Sequence, residues 1–345
     1  MRQEKKTITE FIIGEQRKSP GASGGFTALL NDIRLACKRI AYLVGKGALA
    51  EVPLNATRKV ANETFLSTNE WGGHLAAMAS EADPAPHPIP DRYPRGRYLL
   101  AFDPLCGSAG LDVDAVAGSL FSVLRAPQAE PASEEAFLQP GASQVGSGYA
   151  IYGPVTMLVL ALETGVNGFT LDREIGEFIL THPGLRVPEE CGEFAIDNAG
   201  ARSWEPAVKR YVEECFAGAG GPRGREFTMR WAASLVADAH RILMRGGVFL
   251  CPRTTVEPRR EGRHQLLFEA NPLGHLIERA GGRASTGDGP LLETVPRTLH
   301  QRTPFIFGSR AEVERIEQYH RDYNERDYDA PLFGTRGLFR APAEL

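Results

Sequence analysis

Apolar positions recur at helical spacing over residues 27–44, where Leu30, Ile33, Cys37, Ile40 and Val44 share one face. That period predicts an amphipathic helix. A second helix is expected over residues 61–78. Residues 82–97 carry Pro84, Pro86, Pro88, Pro90 and Pro94 and read as an extended surface connection, since each proline removes a backbone donor. Residues 98–102 are continuously apolar and end at Asp103, the pattern of a buried strand with functional groups at its C-terminal end. Residues 119–124 predict the next strand, and 126–147, polar with Pro and Gly, a mobile loop. Residues 155–162 and 168–171 predict paired strands with Gly165-Val-Asn-Gly168 between or near them, and 178–180 a further short strand. A helix over 229–244 stops at Gly246-Gly247, and a strand follows at 248–251. Asn271 is expected to cap a helix running through Glu278. Ser309 and Glu312 read as a capping box for a last helix that turns Val313, Ile316 and Tyr319 inward. Alternating strands and helices define a layered α/β or α+β class.

Composition narrows the function classes. A chain of 345 residues is one large domain or two tightly joined ones. Its formal charge of −4 carries no basic excess of the kind nucleic acid requires. No apolar run approaches the ~18–20 residues of a membrane span. The first residues, Met1 to Lys6, are charged and lack an apolar segment behind them, unlike a signal peptide. Cys37, Cys106, Cys191, Cys215 and Cys251 are scattered without a C-x-x-C pair, which suits reduced thiols in a cytoplasm.

The chemistry concentrates at residues 103–110, Asp-Pro-Leu-Cys-Gly-Ser-Ala-Gly. An Asp-Pro turn leaving an apolar run, followed by small residues, lets a strand end present backbone N–H groups to a phosphate. The octapeptide resembles the metal-and-phosphate motif Asp-Pro-Leu-Asp-Gly-Ser-Ser-Asn of class 1 fructose-1,6-bisphosphatases. Cys106 stands for the second Asp, and Ala109-Gly110 for Ser-Asn. The likeness continues through residues 69–81, 149–160, 165–183, 229–231, 268–272 and 299–302. It also covers 331–340, which is similar to the bacterial branch. The resemblance implies an α-β-α-β-α sandwich of the fructose-1,6-bisphosphatase/inositol-monophosphatase type, usually a homotetramer. It implies Mg²⁺-dependent hydrolysis of fructose 1,6-bisphosphate to fructose 6-phosphate and phosphate, in gluconeogenic or Calvin-type carbohydrate metabolism. Residues 1–185 would carry the phosphate and metal motif with a remnant of an AMP site, and residues 186–345 the sugar-phosphate half.

Phosphate monoesters hydrolyse very slowly, and two or more Mg²⁺ ions held by hard oxygen ligands supply the charge that the reaction needs. By resemblance, Glu81, Asp103, Glu269 and the Leu105 carbonyl are metal ligands, with Glu81 and Asp103 also catalytic. Gly107 and Ser108 would contact the 1-phosphate through their backbone. Arg263 would hold the 6-phosphate, and Arg230 would reach a neighbouring subunit's 6-phosphate. Several positions depart from the pattern. Ala82 replaces a Glu that helps activate water, and Cys106 replaces a metal-touching Asp. Arg58 falls roughly where the family has a loop Asp; a guanidinium cannot ligate metal, although it can partly replace a cation's charge. Asp197 replaces an Asn that contacts the 6-phosphate, and is repulsive there unless an Arg or metal intervenes. Cys251 replaces a Tyr hydroxyl. Thr27, Arg97 and Tyr98 resemble part of an AMP site, in which Gly25 replaces an acidic residue.

Alternatives stay open at single positions. Cys106 is either a soft ligand for Zn²⁺ or Mn²⁺ or a small thiol filling the lost Asp's space. As a nucleophile it has no neighbouring His in sequence. His74 reads as structural, and Asp112 and Asp114 as part of the turn after the octapeptide. Three functions compete: a sugar bisphosphatase weakened by lost ligands and using fewer ions, or none; a non-catalytic sugar-phosphate-binding partner of an active paralogue; and a phosphatase retuned to another sugar phosphate.

Overall fold

A computed structural model describes residues 6–18, 24–127, 133–254 and 261–325 of the chain. In chain order its elements are α1 (Ile8–Lys18), α2 (Gly24–Gly45), α3 (Thr57–Asn69), β1 (Leu75–Ser80), β2 (His87–Pro88), β3 (Tyr98–Cys106), β4 (Ala117–Arg125) and α4 (Glu134–Phe137). Then follow β5 (Gly146–Tyr152), β6 (Thr156–Leu162), β7 (Gly165–Asp172), β8 (Glu177–Leu185), β9 (Glu193–Ile196), α5 (Pro206–Phe216), β10 (Thr228–Met229), α6 (Leu235–Arg245) and β11 (Val248–Cys251). The last are β12 (His264–Gln265), α7 (Asn271–Arg279), β13 (Arg283–Ser285), β14 (Arg302–Thr303), β15 (Phe305–Gly308) and α8 (Arg310–Glu325).

Two large sheets form. One is eight-stranded in the order β2-β1-β3-β4-β5-β6-β7-β8, and the other five-stranded in the order β10-β9-β11-β15-β13. In the larger sheet only β1 and β3 run parallel. All of β3 is buried, because both of its faces are covered. Its side chains alternate as strand geometry requires. Leu100 and Phe102 join a core with Ile33, Ile40 and Phe65 of α2 and α3. Leu99 and Ala101 face Phe137, Leu267 and Phe268 on the other side. Tyr149 and Val159 of the first sheet share a core with Val236, Leu273, Phe249 and Phe305, so α6 and α7 lie between the two sheets. The outer face of the second sheet packs Phe194, Ile196 and Leu250 against Val208 and Tyr211 of α5 and Val313 and Ile316 of α8. The layers are therefore α-β-α-β-α.

Several sequence expectations are corrected. The second helix ends at Asn69, and Met78 lies in β1. Gly72-Gly73 break the helix, and the small residues of Leu75–Ser80 fit between neighbouring strands as readily as into a helix. The polar stretch 126–147 is not a free loop where it is described. It holds α4, whose Phe137 is fully buried, while 128–132 fall outside the described residues. Gly165-Val-Asn-Gly168 belongs to β7 itself, and the short strand at 178–180 extends to the whole of β8. The helix expected from 229 begins at Leu235, because Met229 pairs with β9 and Ala233 takes a left-handed φ of 55°. Asn271 is helical rather than a cap, since a π-helical turn, Leu266–Ala270, runs straight into α7. Ser309 and Glu312 form no capping box. The Ser309 hydroxyl accepts the Gly247 N–H at 3.1 Å, and Glu312 is drawn into an ion cluster. The motif at 331–340 lies outside the described residues. Among the described residues no helix is long and apolar enough to cross a membrane.

Glu312 anchors α8. Its carboxylate accepts the Tyr211 hydroxyl at 2.7 Å and Arg223 at 2.6 and 2.8 Å, and pairs with Arg225. The Arg223 and Glu312 side chains are only 3% and 2% exposed. Glu312→Ala would strand the Arg223 charge, and is expected to cost about 3–5 kcal/mol, read as a lowered urea midpoint. A midpoint within experimental error of wild type would contradict this assignment.

Candidate active site

The site grows from the end of β3. The pairing with β4 shifts between Asp103 and Cys106, and Asp103 Oδ1 accepts the Leu105 N–H at 3.0 Å. The chain then turns through Gly107 at φ 80°. A Cβ there would meet the Ser234 hydroxyl at 3.1 Å and the Val116 carbonyl at 3.3 Å, so only glycine serves this turn. Ser108 opens the 3₁₀ helix Ser108–Val113, which includes Ala109 and Gly110. Opposite Gly107 stands the start of α6, where the buried Ser234 hydroxyl has no hydrogen-bond partner among the described residues. Gly107 and the Ala233–Leu235 segment line one cavity of about 330 Å³ with Cys106, Glu269, His264, Asp197 and Arg263. A second cavity, about 730 Å³, shares Asp197, Trp231, Arg263 and His264 with the first, and also reaches Arg202, Trp204 and Cys251. The two are ends of one groove.

Three elements deliver the carboxylates. β1 lies beside β3 in parallel, so the residue after it, Glu81, sits level with Asp103, and its N–H donates to the Phe102 carbonyl at 2.9 Å. The π-helical turn brings Glu269 to the same place. Asp103, Cys106 and Glu269 each offer a ligand atom, all within 4.8 Å of one another. Glu269 accepts the Gln265 N–H at 2.6 Å and contacts His264 Nδ1 at 3.1 Å. Glu81 accepts Gln265 Nε2–H at 2.8 Å and pairs with Arg58. Beyond Glu81, Ala82 is exposed and offers no carboxylate.

Burial and the nearby Glu269 charge push Asp103 up to about 7, against the pull of Arg58 and the Leu105 N–H. Burial alone would raise Glu269, but the His264 charge and the hydrogen bonds from His264 and Gln265 hold it below the usual carboxylate range. His264 is lifted to about 10: burial opposes its charge, but Glu269 and Cys251 overcome that. Burial, then Asp103 and Glu269, raise the Cys106 thiol well above its ordinary range. It is thus no ready thiolate nucleophile, and His264, the imidazole in its cavity, is engaged with Glu269 and Cys251. The donor set fits one hard cation. Two carboxylates of like charge converge, a cation between them would relieve the repulsion that raises Asp103, and the Leu105 carbonyl lies in the same strand end. A thiol adds little for Mg²⁺.

Where the two cavities meet, Arg263 Nη1 stands 3.6 Å from Asp197 Oδ2, so a guanidinium does accompany the carboxylate. Asp197 also accepts the Ala199 N–H at 3.1 Å. Gly262, before Arg263, lies against the backbone of Thr303, where a Cβ would come within 2.2 Å. Arg230 lines neither cavity; it is half-exposed and bonded to Glu193 at 2.7 Å, which also takes Arg241. Thr27 donates to Gln16 at 2.8 Å, and Tyr98 is buried against Phe26.

Sequence reasoning missed His264, Gln265, Ser234 and Trp231. Ser234 had a signal, a serine just before the apolar period of α6. His264 and Gln265 had none, because their role comes from pairing of β12 with β14 and not from spacing.

The raised Asp103 pKa sets a pH dependence. The carboxyl ionises near its ordinary 3.8 when unfolded and near 7 in the fold, so its favourable contribution is complete below 3.8 and is lost as pH rises to about 7. In EDTA, urea unfolding should show stability falling between about pH 4 and 7 from this group, and Asp103→Asn should remove that part of the fall. Parallel wild-type and variant profiles would sink this prediction.

The comparisons with known proteins agree with this architecture. The model of the fructose-1-6-bisphosphatase N-terminal domain matches residues 6–183, and that of the C-terminal domain residues 187–321. The chain is 56% identical over 348 residues to fructose-1,6-bisphosphatase class 1 of Hydrogenophilus thermoluteolus, covering 97% of each chain. It is 53% identical over 349 residues to fructose-1,6-bisphosphatase class 1 3 of Methylibium petroleiphilum, covering 97% of this chain and 98% of that one. Among solved structures, the holo form of Leishmania major fructose-1,6-bisphosphatase superposes with a TM-score of 0.84 at 32% identity, covering 92% of this chain and 99% of the other. With both domain models matched and relatives this similar along nearly its whole length, the chain belongs to the class 1 fructose-1,6-bisphosphatase family.

Proposed function

We propose that the chain removes the 1-phosphate of fructose 1,6-bisphosphate, giving fructose 6-phosphate and phosphate, with turnover well below that of an ordinary family member. The observation that carries this is one groove with two anion-accepting features. The Gly107 turn faces the start of α6 near Glu269, and Arg263 lines the same cavity and the larger one that continues from it. Gly107 and Ser108 present backbone to the 1-phosphate, and Arg263 meets the second phosphate as a charge-assisted donor. Asp103, Glu269 and the Leu105 carbonyl would hold Mg²⁺, which supplies Lewis-acid charge to the phosphoryl oxygens when bound. Fewer ions than the family norm are expected, because Ala82 and Cys106 stand where two carboxylates would be. Ala82 also leaves no base at that position to take a proton from the attacking water. The N-terminal half, 1–185, then supplies the phosphate and metal groups, the C-terminal half, 186–345, the sugar-phosphate groups, and a homotetramer is the proposed assembly.

A specific observation favours a second reading. The Asp197–Arg263 pair offsets part of the positive charge at the distal end, which would suit a sugar phosphate whose far end is less anionic than a phosphate. A non-catalytic sugar-phosphate-binding partner of an active paralogue is the outcome if turnover is absent altogether.

Phosphate release from fructose 1,6-bisphosphate with Mg²⁺ and with Mn²⁺ tests the proposal. Loss of one strong electrostatic group at a catalytic centre costs about 10²–10³-fold, so turnover lower by at least that factor is expected; family-normal turnover overturns it. Restoring Ala82→Glu together with Cys106→Asp should raise kcat, and no gain would place the defect elsewhere. Asp197→Asn frees Arg263 from an exposed pair, so KM for the bisphosphate should fall about two- to fivefold. An unchanged KM would remove Asp197 from the binding site.

A further inference from the structure

We propose that Arg58 is a built-in cation of the carboxylate cluster, which keeps Glu81 out of metal coordination and leaves a single divalent-ion site at Asp103 and Glu269. The inference rests on the reading of the site as metal-dependent. Glu81 stands between two side chains from separate elements. One of its oxygens pairs with Arg58, and the other accepts Gln265 Nε2–H at 2.8 Å. Gln265 is itself fixed, with its Oε1 2.8 Å from His300 Nδ1, while His300 Nε2 lies 2.9 Å from the Asp83 carbonyl. Independently, the close group of possible ligands among the described residues is Asp103, Cys106 and Glu269, and Glu81 is not in it.

Arg58 is placed by a rigid frame. It lies in the first turn of α3, and α3 is locked to β3 by Phe65 stacked on Phe102 at a centroid distance of 4.7 Å. From the same helix Asn62 donates to Asp83 at 2.6 Å and accepts the Ser80 hydroxyl at 2.6 Å, which fixes the chain on both sides of Glu81. The guanidinium therefore meets Glu81 without a mobile loop. It offers no lone pair to a metal, and its charge is permanent. A divalent ion approaching Glu81 would meet this permanent charge, and Glu81 lies outside the close group formed by Asp103, Cys106 and Glu269. The arrangement keeps one positive centre at each of two carboxylate positions while needing only one dissociable ion.

The test is Mn²⁺ binding to the EDTA-stripped full-length chain without substrate, followed by the electron paramagnetic resonance of free Mn²⁺. One Mn²⁺ per chain is expected for wild type. Glu81→Gln should change its affinity less than twofold, whereas Asp103→Asn should weaken it at least tenfold. Arg58→Met keeps the alkyl stem and releases Glu81, and should add a second Mn²⁺; Arg58→Lys keeps the charge and should retain one. Circular dichroism confirms that each variant is folded. Two or more ions on wild type, or equal losses from Glu81→Gln and Asp103→Asn, would overturn the proposal, as would no Mn²⁺ binding at all. One bound ion without release of phosphate from fructose 1,6-bisphosphate would support the single-ion site and sink only the phosphatase reading.

Discussion

Two like-charged carboxylates, the buried Asp103 and the largely covered Glu269, meet beside the Cys106 thiol, and the surrounding structure answers that repulsion. Water cannot screen the pair there, so protein groups must. Glu269 takes the Gln265 N–H and His264, Asp103 takes the Leu105 N–H, and Arg58 supplies positive charge from α3 through Glu81. What is left uncompensated shows in Asp103 itself, pushed up to about 7 by burial and by its neighbour.

The layers make the meeting possible. Asp103 ends a strand buried on both faces, Glu81 ends the parallel strand beside it, and Glu269 rides on a π-helical turn held by the small β12–β14 pair. None of these elements can shift far without opening a close-packed core, so the charges are held in place by apolar packing remote from them. The groove follows from the same geometry. It runs from the Gly107 turn, past the start of α6, to Asp197 just after β9 and Arg263 just before β12.

Much of this was legible in the residues. The 27–44 helix, the strand ending at Asp103 and the strand at 248–251 each have a period or an apolar run bounded by a clear stop, and each stands as α2, β3 and β11. The octapeptide at 103–110, an Asp-Pro followed by small residues, pointed to a turn at the end of a strand, and the chain does turn through Gly107 there. Other features were illegible for physical reasons. The small residues of Leu75–Ser80 favour a helix locally, and became β1 because β3 offered them hydrogen bonds and a tight fit. Ser309 and Glu312 have the spacing of a cap, yet Gly247 took the serine and Tyr211, Arg223 and Arg225 took the glutamate.

By itself, then, the sequence determined the layered class from local period, and by resemblance to a family motif it pointed to the family and to Ala82, Cys106, Asp197 and Cys251 as departures from that pattern. Neither reading needs knowledge of which residues meet in space. Only the tertiary structure decided which charges compensate which. Arg58 against Glu81, His264 against Glu269 and Arg263 against Asp197 bring together residues 23, 5 and 66 positions apart in the numbering. Pair energies depend on separation and burial in space, and those quantities arise only when the sheets and helices have packed.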